Sequence, residues 1–114
     1  EEGRLWVMNA RTGQRMPLDL ALLQDFEANS VRLDIPVAAS QVDVPWLIVH
    51  GRDDLTVKPD EGQALADAAS SGRLMLVAGA GHTFEARHPF LESTRQLDAA
   101  LEATLAHFAR HLSE

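Results

Sequence analysis

The stretch "PWLIVHGRDDLTVKPDEG" (45–62) decides how this chain is read. Its first residues are apolar without alternation, and a strand that is apolar on both faces belongs inside a parallel sheet. His50 and Gly51 close the run, and Asp53 and Asp54 follow in a polar loop. Pro59 suits the first turn of a helix, and Asp60 and Glu61 suit the positive end of its dipole. The stretch therefore predicts a buried strand near 45–50, a loop carrying two carboxylates, and a helix over 59–70 with Gly72 as its stop. An acid at the tip of a buried strand requires a partner.

Reading outward toward the C-terminus, "LMLVAG" (74–79) is a second buried strand that runs into "AGAGHTF". Leu97, Leu101, Leu105, Phe108 and Leu112 then recur at helical spacing and predict a long helix over about 94–112. Ser93 and Gln96 form a capping-box pattern at its start, and His107, Arg110 and His111 suit the C-terminal end of its dipole. The order strand, helix, strand, helix is a βαβα unit. Toward the N-terminus, "LWVM" (5–8) reads as a short strand, "NARTGQ" (9–14) as a polar turn around Gly13, and "RMPL" (15–18) as an irregular return. Residues 19–28 read as a short helix with Asp19 as N-cap and Asn29 beyond its end. Residues 29–44, with Pro36 and no sustained period, read as a connection. The expected class is α/β in a single domain over 1–114, with 1–44 a cap-like or connecting segment and 45–114 the βαβα core.

Composition narrows the function classes. A chain of 114 residues is one domain's worth and should bury roughly 65% of its unfolded surface. Its 10 basic and 17 acidic residues, with no run of like charge, offer no footprint for nucleic acid or anionic lipid. With no cysteine, neither a disulfide framework nor a thiolate metal site is available. Apolar runs fall far short of the ~20 residues of a membrane span, and the charged "EEGRLW" start does not read as a secretory signal. A start at Glu1 rather than Met fits a processed chain or a fragment, and a cytoplasmic location is the expectation.

Parallel α/β sheets place ligands and catalytic groups at the carboxyl ends of their strands. Asp53 and Asp54 follow the first strand and His82 follows the second, and a right-handed crossover through the 59–70 helix brings the two loops side by side. An acid beside a histidine is the orienting half of a nucleophilic triad: the carboxylate fixes the imidazole tautomer while the other ring nitrogen takes a proton from a nucleophile.

At these positions the sequence resembles the α/β-hydrolase family, whose penultimate core strand ends in H-G-x-x-D-x-x-V-P and whose last strand ends in G-x-G-H. The first motif reads His50-Gly51-Arg52-Asp53-Asp54-Leu55-Thr56-Val57-Lys58, with Pro59 one position later than in the family, and the second reads Gly79-Ala80-Gly81-His82. "NARTGQRMPL" and "HTFEARHPF" also look like the small single-domain hydrolases related to dienelactone hydrolases and serine aminopeptidases. The resemblance implies the C-terminal part of that fold, with Asp54 as the triad acid and His82 as the triad base. It also implies hydrolysis of a small-molecule ester, thioester or amide, without cofactor or metal.

The family order is Ser, then acid, then His, with the serine on a G-x-S-x-G elbow upstream of both. No G-x-S-x-G occurs here, and none of Ser30, Ser40, Ser70, Ser71, Ser93 and Ser113 lies between the two required glycines. The resemblance thus implies a catalytic half whose nucleophile and oxyanion hole lie in an upstream segment, the chain alone being inactive.

Blander readings stand beside this one. An Asp after a strand often only caps a helix or satisfies a turn, which is the expected role of Asp53. His50 is expected to mark the strand end and pack against the Asp loop, and His88 to sit in a loop. "GAG" (79–81) is a poor dinucleotide fingerprint, because Phe84 stands where the third glycine belongs. Trp6 and Trp46 read as packing residues. His50, Asp53, Asp54, His82 and His88 make a metal-binding module an alternative, although their spacing matches no metal motif. A second alternative is a non-catalytic interaction module. A half-fold exposes one edge of "PWLIVH", which should pair with the missing half or with a second copy in a homo-oligomer.

Overall fold

The structure, a computed structural model, describes residues 3–10 and 12–112. Arg11, from the expected turn, and Ser113 lie outside the described residues, as do Glu1, Glu2 and Glu114. The chain divides into two units, Glu1–Asp34 and Ile35–Glu114.

In the first unit, β1 (Arg4–Met8) and β2 (Arg15–Asp19) pair antiparallel, with Leu5 opposite Leu18 and Trp6 opposite Pro17. Residues 15–18, expected as an irregular return, form a strand although they include Pro17, and the register shows why. Hydrogen-bonded pairs alternate along an antiparallel ladder. The Gly3–Leu20 and Asn9–Gln14 pairs are bonded, so the Trp6–Pro17 pair falls on a non-bonded rung and the missing N–H costs no ladder bond. Helix α1 (Leu20–Ala28) follows directly. Asp19 stands at its N-cap but makes no cap hydrogen bond, because both carboxylate oxygens accept from the Arg4 guanidinium. Asn29 closes the other end, its backbone and side-chain N–H groups both donating to the Asp25 carbonyl at 3.0 Å.

The second unit has mixed α/β content. Helix α2 (Ile35–Ser40) lies within the expected connection; Pro36 falls in its first turn, where an N–H has no helical partner to lose. β3 (Trp46–Gly51) and β4 (Gly72–Val77) pair parallel from Trp46–Gly72 to Gly51–Val77, and α3 (Pro59–Ala68), opening on Pro59, joins them. The second strand thus starts two residues before the expected 74–79. Gly72 is its first residue rather than a helix stop: a Cβ there would sit 2.5 Å from the Ala66 carbonyl oxygen, so only glycine lets β4 leave so close to α3. With a single β neighbour, β3 is half-buried along Trp46–His50 instead of fully buried.

The long helix α4 (Arg95–His111) contacts both strands and carries Arg110 and His111 in its last turn. Its cap is Thr94, one residue after the expected Ser93: Thr94 Oγ1 accepts from Leu97 N at 3.0 Å, while Ser93 Oγ donates to Asp98 Oδ1 at 2.6 Å. His107 donates from Nε2 to the Pro45 carbonyl at 3.2 Å, tying the start of β3 to α4. Among the described residues, no helix is long and apolar enough to cross a membrane.

Candidate active site

Two loops meet at the carboxyl ends of β3 and β4. The chain continues the parallel ladder one step, Arg52 N donating to Val77 O at 3.0 Å, and then Asp53 N donates to Ala80 O at 2.9 Å. That last bond ties the aspartate loop to the histidine loop. The approach needs Gly51, because a Cβ there would fall on the Ala80 carbonyl and 2.5 Å from the Gly81 carbonyl oxygen. Ala80 is wholly buried beneath this contact. The glycine of His-Gly is therefore a steric requirement of loop against loop.

The loops bring Asp54 and His82 together, with His82 Nδ1 2.9 Å from Asp54 Oδ2. Asp54 Oδ1 accepts from Thr56 N at 2.8 Å and Val57 N at 3.0 Å, so the carboxylate has defined partners on both oxygens. Its side chain is 4% exposed, against 46% for that of His82. Burial pushes the Asp54 carboxyl upward, but the hydrogen bonds from His82, Val57 and Thr56, helped by the nearby imidazole, overcome it and bring the pKa down to about 2. Asp54 is thus a carboxylate at neutral pH and can only accept. His82 must then hold its proton on Nδ1 when neutral, which leaves Nε2 with a free lone pair. Nε2 has no hydrogen-bond partner among the described residues, and the ring is open to solvent. The arrangement is that of an oriented general base.

The histidine loop is held from α4. Gly79, in the left-handed region at φ 68°, offers its carbonyl to Gln96 Nε2 at 3.1 Å. Glu85 Oε1 accepts from Gly81 N at 3.0 Å, and Thr94 Oγ1 donates to Phe84 O at 2.6 Å. Phe84 and Glu85 lie at φ 52° and 63°, a conformation that costs non-glycine residues about 1–2 kcal/mol each. Such strain persists only where the surroundings impose it, and here the Thr94 and Glu85 bonds do so. Thr94 and Glu85 carry no role in the sequence analysis, and Gln96, expected there as the capping-box partner of Ser93, instead donates to the Gly79 carbonyl. The one available signal was the adjacent Ser93-Thr94 pair, either of which suits an N-cap.

Of the other candidates, Asp53 and His88 are exposed and meet neither Asp54 nor His82 through a side-chain bond. His50 packs against the aspartate loop, its Nε2 2.9 Å from the Val57 carbonyl. Among the described residues, no group of three His, Asp or Glu side chains is arranged to hold a metal ion. Trp6 lies in the first unit beneath the Arg15 guanidinium, 5.0 Å from its ring centroid, and Trp46 opens β3. A groove of about 660 Å³ in the first unit is lined by Leu5, Leu18, Leu22, Leu23 and Phe26, with Arg4 and Asp19 at its rim paired to each other; it offers no acid–base chemistry. No family model matches the chain, and no curated protein matches its sequence.

Proposed function

We propose that this chain supplies the acid and base of a serine hydrolase of the α/β-hydrolase type, acting on an ester, thioester or amide. The observation that carries the reading is the 2.9 Å contact between His82 Nδ1 and a buried Asp54 whose other oxygen is held by two backbone amides, with His82 Nε2 left free. In the complete enzyme a serine from an upstream segment attacks the carbonyl while His82 Nε2 takes the hydroxyl proton and then delivers it to the leaving group. Asp54 keeps Nδ1 protonated and stabilises the imidazolium, and water resolves the acyl-enzyme by the same route. No step calls for a metal or cofactor, and the substrate is a small molecule.

The test is His82→Ala in the serine-bearing protein. Turnover of an activated ester should fall by at least ~10³-fold, and an unchanged rate would sink the assignment. The 12.5 kDa chain alone should not react with a fluorophosphonate probe, since none of its serines lies on a nucleophile elbow.

The exposed apolar residues favour a partner for this half. Leu5, Leu22, Leu23 and Phe26 in the first unit and Leu101, Leu105 and Phe108 on α4 are all more than half exposed, and β3 and β4 form a sheet of only two strands. Pairing with the missing half, or with a second copy through a sheet edge, would cover surface of this kind. A strictly monomeric chain by light scattering, with no companion polypeptide in its intact mass spectrum, would count against it.

A further inference from the structure

A second histidine bears on the carboxylate. His50 is the penultimate residue of β3, its side chain 13% exposed, with Nε2 2.9 Å from Val57 O and 3.4 Å from Asp54 Oδ2. Both neighbours accept, since a carbonyl and an ionised carboxylate have no proton to give. Nε2 must therefore carry hydrogen. Val57 is consequently held at both ends of its peptide units, its N–H on Asp54 Oδ1 and its carbonyl on His50. The helix makes room for the ring. Gly62 lies inside α3, where alanine is the better helix former by about 1 kcal/mol. A Cβ at Gly62 would stand 3.0 Å from His50 Nδ1 and 3.3 Å from Leu74 Cδ1.

We propose that His50 is a positioning residue: its Nε2–H, directed at the Val57 carbonyl and the edge of the Asp54 carboxylate, closes the 54–57 loop and holds Asp54 in register with His82. The ring acts through Asp54 and has no contact with the free Nε2 of His82. This deepens the acid–base reading of the Asp54–His82 pair and rests on it, but it requires no serine and can be tested on the chain alone.

The test is nitrogen-15 and proton NMR of the imidazoles at pH 8, where an ordinary histidine is neutral. The wild type should show His82 as the Nδ1–H tautomer, with a downfield hydrogen-bonded proton, and His50 as the Nε2–H tautomer. His50→Ala should abolish or broaden the His82 proton signal, and His50→Gln should restore it, because the glutamine amide can place an N–H near the position of imidazole Nε2. Gly62→Ala should weaken it by displacing the ring. A folded His50→Ala protein with the His82 signal intact overturns the proposal, as does a His50 found as the Nδ1–H tautomer. If His50→Ala does not fold, His50→Gln decides. A folded protein with the signal present supports the role, and loss of either fold or signal overturns it. Failure of the pair reading looks different: the wild type would lack the His82 signal, or Asp54→Asn would leave it unchanged, and the His50 role would fall with it.

Discussion

The two units each place a helix beside a pair of strands, yet they differ in what they bury. Among the described residues of Glu1–Asp34 none is buried, and Leu5, Leu22, Leu23 and Phe26 stand largely in solvent. Among the described residues of Ile35–Glu114, the buried ones are Ala39, Gly51, Asp54, Gly62, Ala66, Ala69, Val77, Ala80 and Ala100. Most of these are small. The second unit is thus organised less by large side chains interlocking than by backbones that pass closely, Gly51 over the Ala80 loop and Gly72 over Ala66. Close backbone approach aligns polar groups, and the Asp54–His82 pair forms where two such loops meet.

Substituting one glycine in each unit should break that contrast most sharply. Gly51→Ala drives a Cβ into the Ala80 and Gly81 carbonyls, which should cost about 3 kcal/mol or more. Gly13→Ala meets open space and carries only the penalty of its left-handed φ of +68°, about 1–2 kcal/mol. Urea denaturation of the two variants checks the ranking, and equal losses would mean that the loop contact is not what shapes the second unit.

Acid should separate the units next. The Asp54 carboxyl has its pKa lowered from 3.8 to about 2, so its stabilising bonds are fully present above pH 4 and are lost as pH falls toward 2. Asp54→Asn should therefore flatten the loss of stability between pH 4 and 2 relative to wild type, as read from urea midpoints at successive pH values. Asp19 in the first unit is also shifted down, chiefly by its hydrogen bonds from Arg4, but it is exposed, so Asp19→Asn should change the profile less.

The two helix caps give a smaller difference. Thr94 both accepts from Leu97 N and donates to Phe84 O, so Thr94→Ala should cost about 1–2 kcal/mol and loosen the histidine loop, visible as faster amide exchange at Phe84 and Glu85. Asp19, which makes no cap bond to α1, should show no capping loss when replaced by Ala. Val31→Ser, at a side chain 85% exposed in the first unit, should stay within about 0.5 kcal/mol in the same urea assay, sharpening the contrast from its weak side.

Much of the second unit was legible from local pattern. The apolar run at 46–49, Pro59 with its acidic neighbours, and the helical period from Leu97 to Leu112 each name an element because the signal lies within a few residues. Errors fell where a neighbour distant in sequence decides. The return at 15–18 reads as irregular until the β1–β2 ladder is known, and Gly72 reads as a stop until Ala66 is seen beneath it. Ser93, with Gln96 three residues on, reads as the cap in sequence, and Thr94 takes that place with an additional bond to the Phe84 carbonyl.

By itself, the sequence determined the order of elements in 45–112, the acid and the histidine at the two strand tips, and the absence of any serine set between the two glycines of a nucleophile elbow. Only the tertiary structure decided that Asp54 meets His82 through Oδ2, that the Thr56 and Val57 amides hold the other oxygen, and that His50 Nε2 reaches the Val57 carbonyl. The reason is one of range. Strand and helix signals act over a turn or a pleat, whereas a hydrogen bond of 2.9 Å between residues 28 apart depends on how α3 returns the chain and on a glycine that lets two backbones touch.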